Sequence, residues 1–125
     1  MCIRDSDWVG FYFHKPKKKE LHLKAFAGKP TNHTAIPFGK GICGQVALSN
    51  QNFVVDDVSK QENYIACSID VKSEIVVPLF IKGKNVGQID VDSNTTHAFD
   101  KKDEAFLEEV NNLVAAYLLH SELNF

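Results

Sequence analysis

Hydrophobic positions change their spacing several times along the chain, and each change marks an element. WVGFYFH (8–14) is dense in aromatic and apolar residues, ELHLKAFA (20–27) partly alternates, and the KPKKK between them predicts a hairpin turn. Residues 28–37 read as loop. In GKGICGQVALSN (39–50) the opening glycines give way to Ile42, Val46 and Ala47 at helical spacing, which places Cys43 in the first turn of a short helix. NFVVDD (52–57) reads as a short strand. Residues 58–73 have no clear period, and a connection of that length in a compact domain is usually functional or disordered. EIVVPLFI (74–81), a KGKN turn and VGQIDVDS (86–93) predict a second hairpin, with Pro78 requiring an edge or a bulge. In the last element Phe106, Leu107, Val110, Leu113, Val114, Tyr117 and Leu118 form one apolar stripe of a helix that Asp100 can cap.

The order strand, strand, helix, strand, long loop, strand, strand, helix predicts an α+β domain, an antiparallel sheet with helices packed against it. A length of 125 residues with 44% hydrophobic positions suits one domain with one packed core. The opening MCIRDS fits no strand or helix pattern and joins abruptly to a strongly apolar stretch. Residues 1–6 are therefore expected to be a non-native leader, and 7–125 a single domain incomplete at its N-terminus.

Charge narrows the function classes. A formal net charge of −2, from 14 basic and 16 acidic residues, provides no field to gather nucleic acid or anionic membrane. The lysines of KPKKK read as a solvated turn. No apolar run approaches the ~20 residues of a membrane span, so the expectation is a soluble, cytoplasmic protein. The 3 cysteines make no disulfide framework, and the 5 scattered histidines with no C-x-x-C or H-x-E pairing make no metal site. The N-x-T sequons at Asn32 and Asn94 would matter only in a secreted chain.

A few residues could carry chemistry. A cysteine becomes a nucleophile where its thiolate is favoured and reachable. Cys67 in the long loop and Cys43 at a helix start near Lys40 both qualify, although free cysteine is among the most buried residue types. Asp90 and Asp92 lie two apart on a strand, hence on one face, and Glu74 opens the strand paired with it. Converging on a pocket, these carboxylates would bind an ammonium group, and mutual repulsion would keep one of them protonated at neutral pH. The alternative is a half-exposed strand with its polar residues outward. Trp8 and Tyr12 share a face and could wall a methyl or sulfonium group, or simply pack in the core.

Taken together, WVGFYF, IPFGKGICG, YIACS, KSEIVVPL, GQIDVDS and FDKKDEAFLEEV, in this order from residue 8 to about 118, resemble the free methionine (R)-sulfoxide reductases, enzymes built on a GAF domain. The resemblance implies a GAF-like fold whose central antiparallel sheet is flanked by helices, with the family's N-terminal helix missing here. It implies reduction of free L-methionine-(R)-S-oxide to methionine through a sulfenic acid and disulfide cycle. Cys67 then matches the catalytic cysteine, Cys43 a second redox cysteine, Glu74, Asp90 and Asp92 the substrate-site carboxylates, with Glu74 and Asp92 catalytic, and Trp8 and Tyr12 the aromatic wall. It implies no cofactor, and thioredoxin as the reductant.

The chain departs from the family pattern at two places. The usual resolving cysteine, three residues before IP, is replaced by His33, and the family's IACD is IACS, with Ser68 removing a carboxylate. Resolution would then fall to Cys43 or an external thiol. Loss of the N-terminal helix predicts an exposed apolar face through which copies could associate as a homodimer. Two further readings remain open, a non-catalytic GAF module sensing a small ligand, and a thiol redox sensor using Cys67 and Cys43.

Overall fold

The computed structural model describes residues 7–61 and 71–121. Residues 1–6, expected to be a leader, and the segment carrying Cys67 and Ser68 lie outside the described residues. The chain runs β1 (Trp8–Lys15), β2 (Glu20–Ala27), β3 (Ala35–Pro37), α1 (Gly41–Ser49), β4 (Phe53–Val55), a 3-10 turn at Val58–Lys60, β5 (Ser73–Ile81), β6 (Lys84–Ser93) and α2 (Lys101–Ser121). The strands form one sheet in the order β3-β2-β1-β6-β5-β4, antiparallel throughout. This is the α+β architecture expected from the order of elements.

Local chemistry explains where the elements start and stop. The β5–β6 hairpin closes at Ile81 opposite Lys84, so its turn is Lys82 and Gly83 alone, shorter than the four-residue KGKN expected. Both turn residues have positive φ, 52° and 78°, the twist that matches a tight hairpin. Pro78 meets both expectations. β4 pairs only with Glu74–Val76, which leaves the outer edge of β5 open at Pro78, and the β5–β6 register shifts just beyond, between Leu79 and Phe80. Asn111 of α2 covers this stretch, donating from Nδ2 to the Val77 and Pro78 carbonyls at 3.0 Å each. Asp100 caps α2 as expected. Its Oδ1 accepts from the Asp103 amide at 3.0 Å, while Asp103 Oδ2 accepts from the Asp100 amide at 2.9 Å. That reciprocal pair is a capping box built with aspartate.

Both faces of the sheet are covered. On one, Trp8, Tyr12, Leu21 and Val76 pack with Ile42, Val46 and Ala47 of α1. On the other, Ile75, Val77, Ile89 and Val91 pack with Phe99 and Leu107, and Leu79 and Phe13 with Ala115 and Leu118.

Two further sequence expectations change. The 28–37 loop contains β3, which pairs Ala35–Pro37 with Glu20–His22. The single apolar stripe of α2 is split: Leu107, Ala115 and Leu118 are buried, with Val110 and Val114 partly so, while Phe106, Leu113 and Tyr117 are 57%, 72% and 66% exposed. Asp103 and Asn111 occupy buried positions between them, so the sheet-facing side is part polar. No helix among the described residues is long and apolar enough to cross a membrane.

Candidate active site

Strand register assembles the site. Glu74 on β5 stands opposite Asp92 on β6, and Trp8 on β1 stands opposite the same Asp92. One step along, Val76 and Gly10 flank Asp90; a further step brings Pro78 and Tyr12 to either side of Gln88. Directly opposed residues share a face with their β-carbons ~5 Å apart. Three carboxylates and two aromatic side chains are thus fixed on one surface by three neighbouring strands.

That surface is closed. Glu74 is 4% exposed and Asp90 and Asp92 are 1% each, so the reading of outward, solvated polar residues does not hold. What covers them is the short helix α1, whose first turn carries Cys43 over the sheet. The Cys43 thiol donates to Asp90 Oδ2 at 3.2 Å. Gln88, fully buried, donates from Nε2 to the Cys43 carbonyl at 3.1 Å and so ties the start of α1 to β6. Sequence reasoning missed Gln88. The signal was available, since Gln88, Asp90 and Asp92 are alternate residues of one strand and must share a face.

Gly10 was missed as well. A β-carbon there would fall 2.2 Å from the Trp8 ring, so the ring lies over this glycine in the row that holds Asp90. A glycine within an otherwise aromatic strand is the signature of such a close approach. The rings of Trp8 and Tyr12 are 6.3 Å apart and tilted by 44°, both within the buried cluster on this face. The Tyr12 hydroxyl donates to the His33 carbonyl at 2.8 Å, fastening the loop before β3 to the site.

Burial governs the protonation of the cluster. Glu74 is pushed well above the usual carboxylate range, first by loss of water and then by the charges of Asp90 and Asp92. Asp90 is raised by burial, partly offset by the hydrogen bonds it accepts from its neighbours, Cys43 among them. Cys43 is held well above an ordinary thiol by burial and by the Asp90 and Glu74 charges. A position in a first helical turn would ordinarily favour a thiolate. Here burial, reinforced by the surrounding carboxylates, wins, and Cys43 rests as a thiol that donates a hydrogen bond rather than as a ready nucleophile.

The described walls enclose a small cavity of about 10 Å³ lined by Tyr12, His33, Ile36, Lys40, Cys43, Glu74 and Asp90, among others. Of the site residues expected from sequence, the structure brings together Cys43, Glu74, Asp90, Asp92, Trp8 and Tyr12, with Trp8 and Asp92 set back from the cavity lining. Cys67 lies outside the described residues.

Residues 3–118 match the family model described as GAF domain. The chain belongs to the GAF domain family. Within it, the chain stands with the free methionine-R-sulfoxide reductases. It is 40% identical over 112 residues, 88% of its length, to the free methionine-R-sulfoxide reductase of Saccharomyces cerevisiae (strain ATCC 204508 / S288c). The structure of the free methionine-R-sulfoxide reductase from Neisseria meningitidis in complex with its substrate superposes with a TM-score of 0.87 at 40% identity, covering 92% of this chain and 68% of that one. The type II enzyme from Thermoplasma acidophilum gives a TM-score of 0.84 at 40% identity, covering 90% and 78%. The chain spans between 62% and 66% of the length of the curated relatives first compared, the 62% being the yeast protein.

Proposed function

We propose that this protein reduces free methionine-(R)-sulfoxide to methionine, with Cys67 as the nucleophile. The observation that carries the reading is the closed carboxylate cluster of Glu74, Asp90 and Asp92 beneath Cys43. A buried acidic pocket is costly to maintain, and perturbed carboxylates of this kind concentrate at functional sites. Support also comes from the free methionine-R-sulfoxide reductases at 40% identity.

The chemistry assigns each group a part. The thiolate of Cys67 attacks the sulfoxide sulfur while Glu74, the carboxyl most strongly held protonated, gives its proton to the sulfoxide oxygen. The oxygen passes to Cys67, which is oxidised to a sulfenic acid as the sulfoxide becomes the thioether of methionine. Asp92, opposite Glu74, stays within reach to return the proton. Asp90 pairs with the ammonium group that only a free amino acid presents beside its sulfoxide, which selects against protein-bound methionine sulfoxide. Trp8 and Tyr12 wall the methyl group. The cavity among the described residues is about 10 Å³, so a whole amino acid enters only as its walls move apart.

Recycling falls to Cys43, because His33 stands where the family's resolving cysteine would be. Asp90 takes the Cys43 proton; the resulting thiolate displaces the Cys67 sulfenic oxygen as water, giving a disulfide that a dithiol such as thioredoxin reduces. Holding Cys43 as a thiol makes this step slow relative to oxidation of Cys67. The outward stripe of Phe106, Leu113 and Tyr117 offers a surface for a homodimer.

The test is single-turnover reduction by Cys43→Ser and Cys67→Ser. Cys43→Ser should form one equivalent of methionine and then stall; Cys67→Ser should form none. Methionine from Cys67→Ser at the parent rate would remove the mechanism.

A further inference from the structure

The Cys43 thiol and the Glu74 and Asp90 carboxylates each offer one ligand atom, and the three atoms lie within 4.8 Å of one another. All three residues are buried, on three different elements, α1, β5 and β6. Among the described residues Asp90 Oδ1 has no hydrogen-bond partner, although Asp90 is 1% exposed and lines the cavity. That cavity, about 10 Å³, has the size of a single atom rather than of an amino acid. No lysine or arginine forms an ion pair with Glu74 or Asp90 among the described residues.

We propose that Cys43, Glu74 and Asp90 form a binding site for a thiophilic divalent cation of the zinc type. A thiolate with two carboxylates selects a borderline-soft ion over magnesium or calcium, which favour oxygen alone. With metal–sulfur and metal–oxygen bonds of about 2.3 and 2.1 Å, tetrahedral ligand atoms stand roughly 3.5 Å apart, so the cluster must contract by up to about 1.3 Å. The Cys43 thiol proton and the proton held by Glu74 both leave to solvent as the metal–sulfur and metal–oxygen bonds form. His33 lines the same cavity outside the tight cluster, so solvent would complete the tetrahedron. The bound cation would hold Cys43 out of thiol exchange. This inference concerns binding and stands independently of the proposed reduction.

Cobalt(II) is a direct probe, since thiolate ligation gives it an intense near-ultraviolet charge-transfer band. The reduced full chain should take up one Co²⁺ with this band, and Zn²⁺ should displace it. The band should persist in Cys67→Ser and Cys2→Ser and disappear in Cys43→Ser, while Asp90→Asn weakens binding by roughly tenfold or more. A band that is absent, that survives Cys43→Ser, or that vanishes in Cys67→Ser overturns the site. If Cys43→Ser does not fold, unchanged Co²⁺ affinity in folded Asp90→Asn does the same. Cys67→Ser separates the two proposals, since it should lose sulfoxide reduction and keep the metal.

Discussion

The two faces of the β5–β6 hairpin are equally buried and chemically opposite. Toward α2 the strands present Ile75, Val77, Ile89 and Val91, each 3% exposed or less. Toward α1 the neighbouring residues are Glu74, Gln88, Asp90 and Asp92, none above 4%. A strand buried on both sides normally reads as a continuous apolar run. Here one face provides the hydrophobic driving force that folds the sheet, and the other uses that rigidity to keep three carboxylates close together away from bulk solvent. Left to themselves, such groups would separate or hydrate. The stability of one face and the strain of the other are therefore two parts of one device.

The comparison is broken most sharply on the acidic face. Glu74→Gln should cut sulfoxide reduction by about 10²–10⁴-fold, the usual contribution of a positioned acid, with the circular dichroism unchanged. Steady-state and single-turnover rates on the purified variant check this. Ile89→Ala, one residue from Asp90 but facing α2, should do the reverse. It should cost about 2–5 kcal/mol in denaturant unfolding and leave the rate per folded molecule near that of the parent.

A smaller effect links the faces through pH. Because Glu74 binds its proton more tightly in the folded chain than its ordinary value of 4.5, the folded state keeps a proton that the unfolded state releases. Stability should be full below about pH 4.5 as far as this group is concerned, and should fall as pH rises toward the elevated value. Asp90, also raised, adds in the same direction. Glu74→Gln should flatten the slope and melt above the parent at neutral pH, which thermal melts across pH 4–8 would measure. A parent more stable at pH 8 than at pH 5, with no change in slope in the variant, would show that the cluster is not strained.

The smallest expected effect lies far from both faces. Asp100→Ala removes a cap from α2 and should cost about 1 kcal/mol without altering the rate.

Most of this arrangement was legible in the sequence, for physical reasons that differ by region. The two hairpins, α1 with Cys43 in its first turn and the Asp100 cap rest on local spacing, which a sequence displays directly. β3 escaped because three residues ending in proline carry no period, and it exists only through pairing with β2. The α2 stripe was misread because apolar residues at helical spacing fit two adjacent sides of a helix. The side that meets the sheet carries Leu107, Ala115 and Leu118 together with Asn111, a polar residue that covers the Val77 and Pro78 carbonyls. In the site, alternation placed Asp90 and Asp92 on one face but could not distinguish a solvated face from a closed one. That depended on α1 folding over the sheet, a contact between residues more than forty positions apart, as in the Cys43–Asp90 bond with its separation of 47.

The central claim is that the buried carboxylates serve a sulfoxide reduction carried out by Cys67. The measurement that tests it most directly is single-turnover reaction of the reduced protein with free L-methionine-(R)-sulfoxide, with the (S)-epimer as control, followed by mass spectrometry of the peptide bearing Cys67. The account predicts methionine from the (R)-epimer alone, with Cys67 oxidised in equal amount. A folded sample that binds the sulfoxide without forming methionine would contradict it and make the domain a sensor of the same ligand.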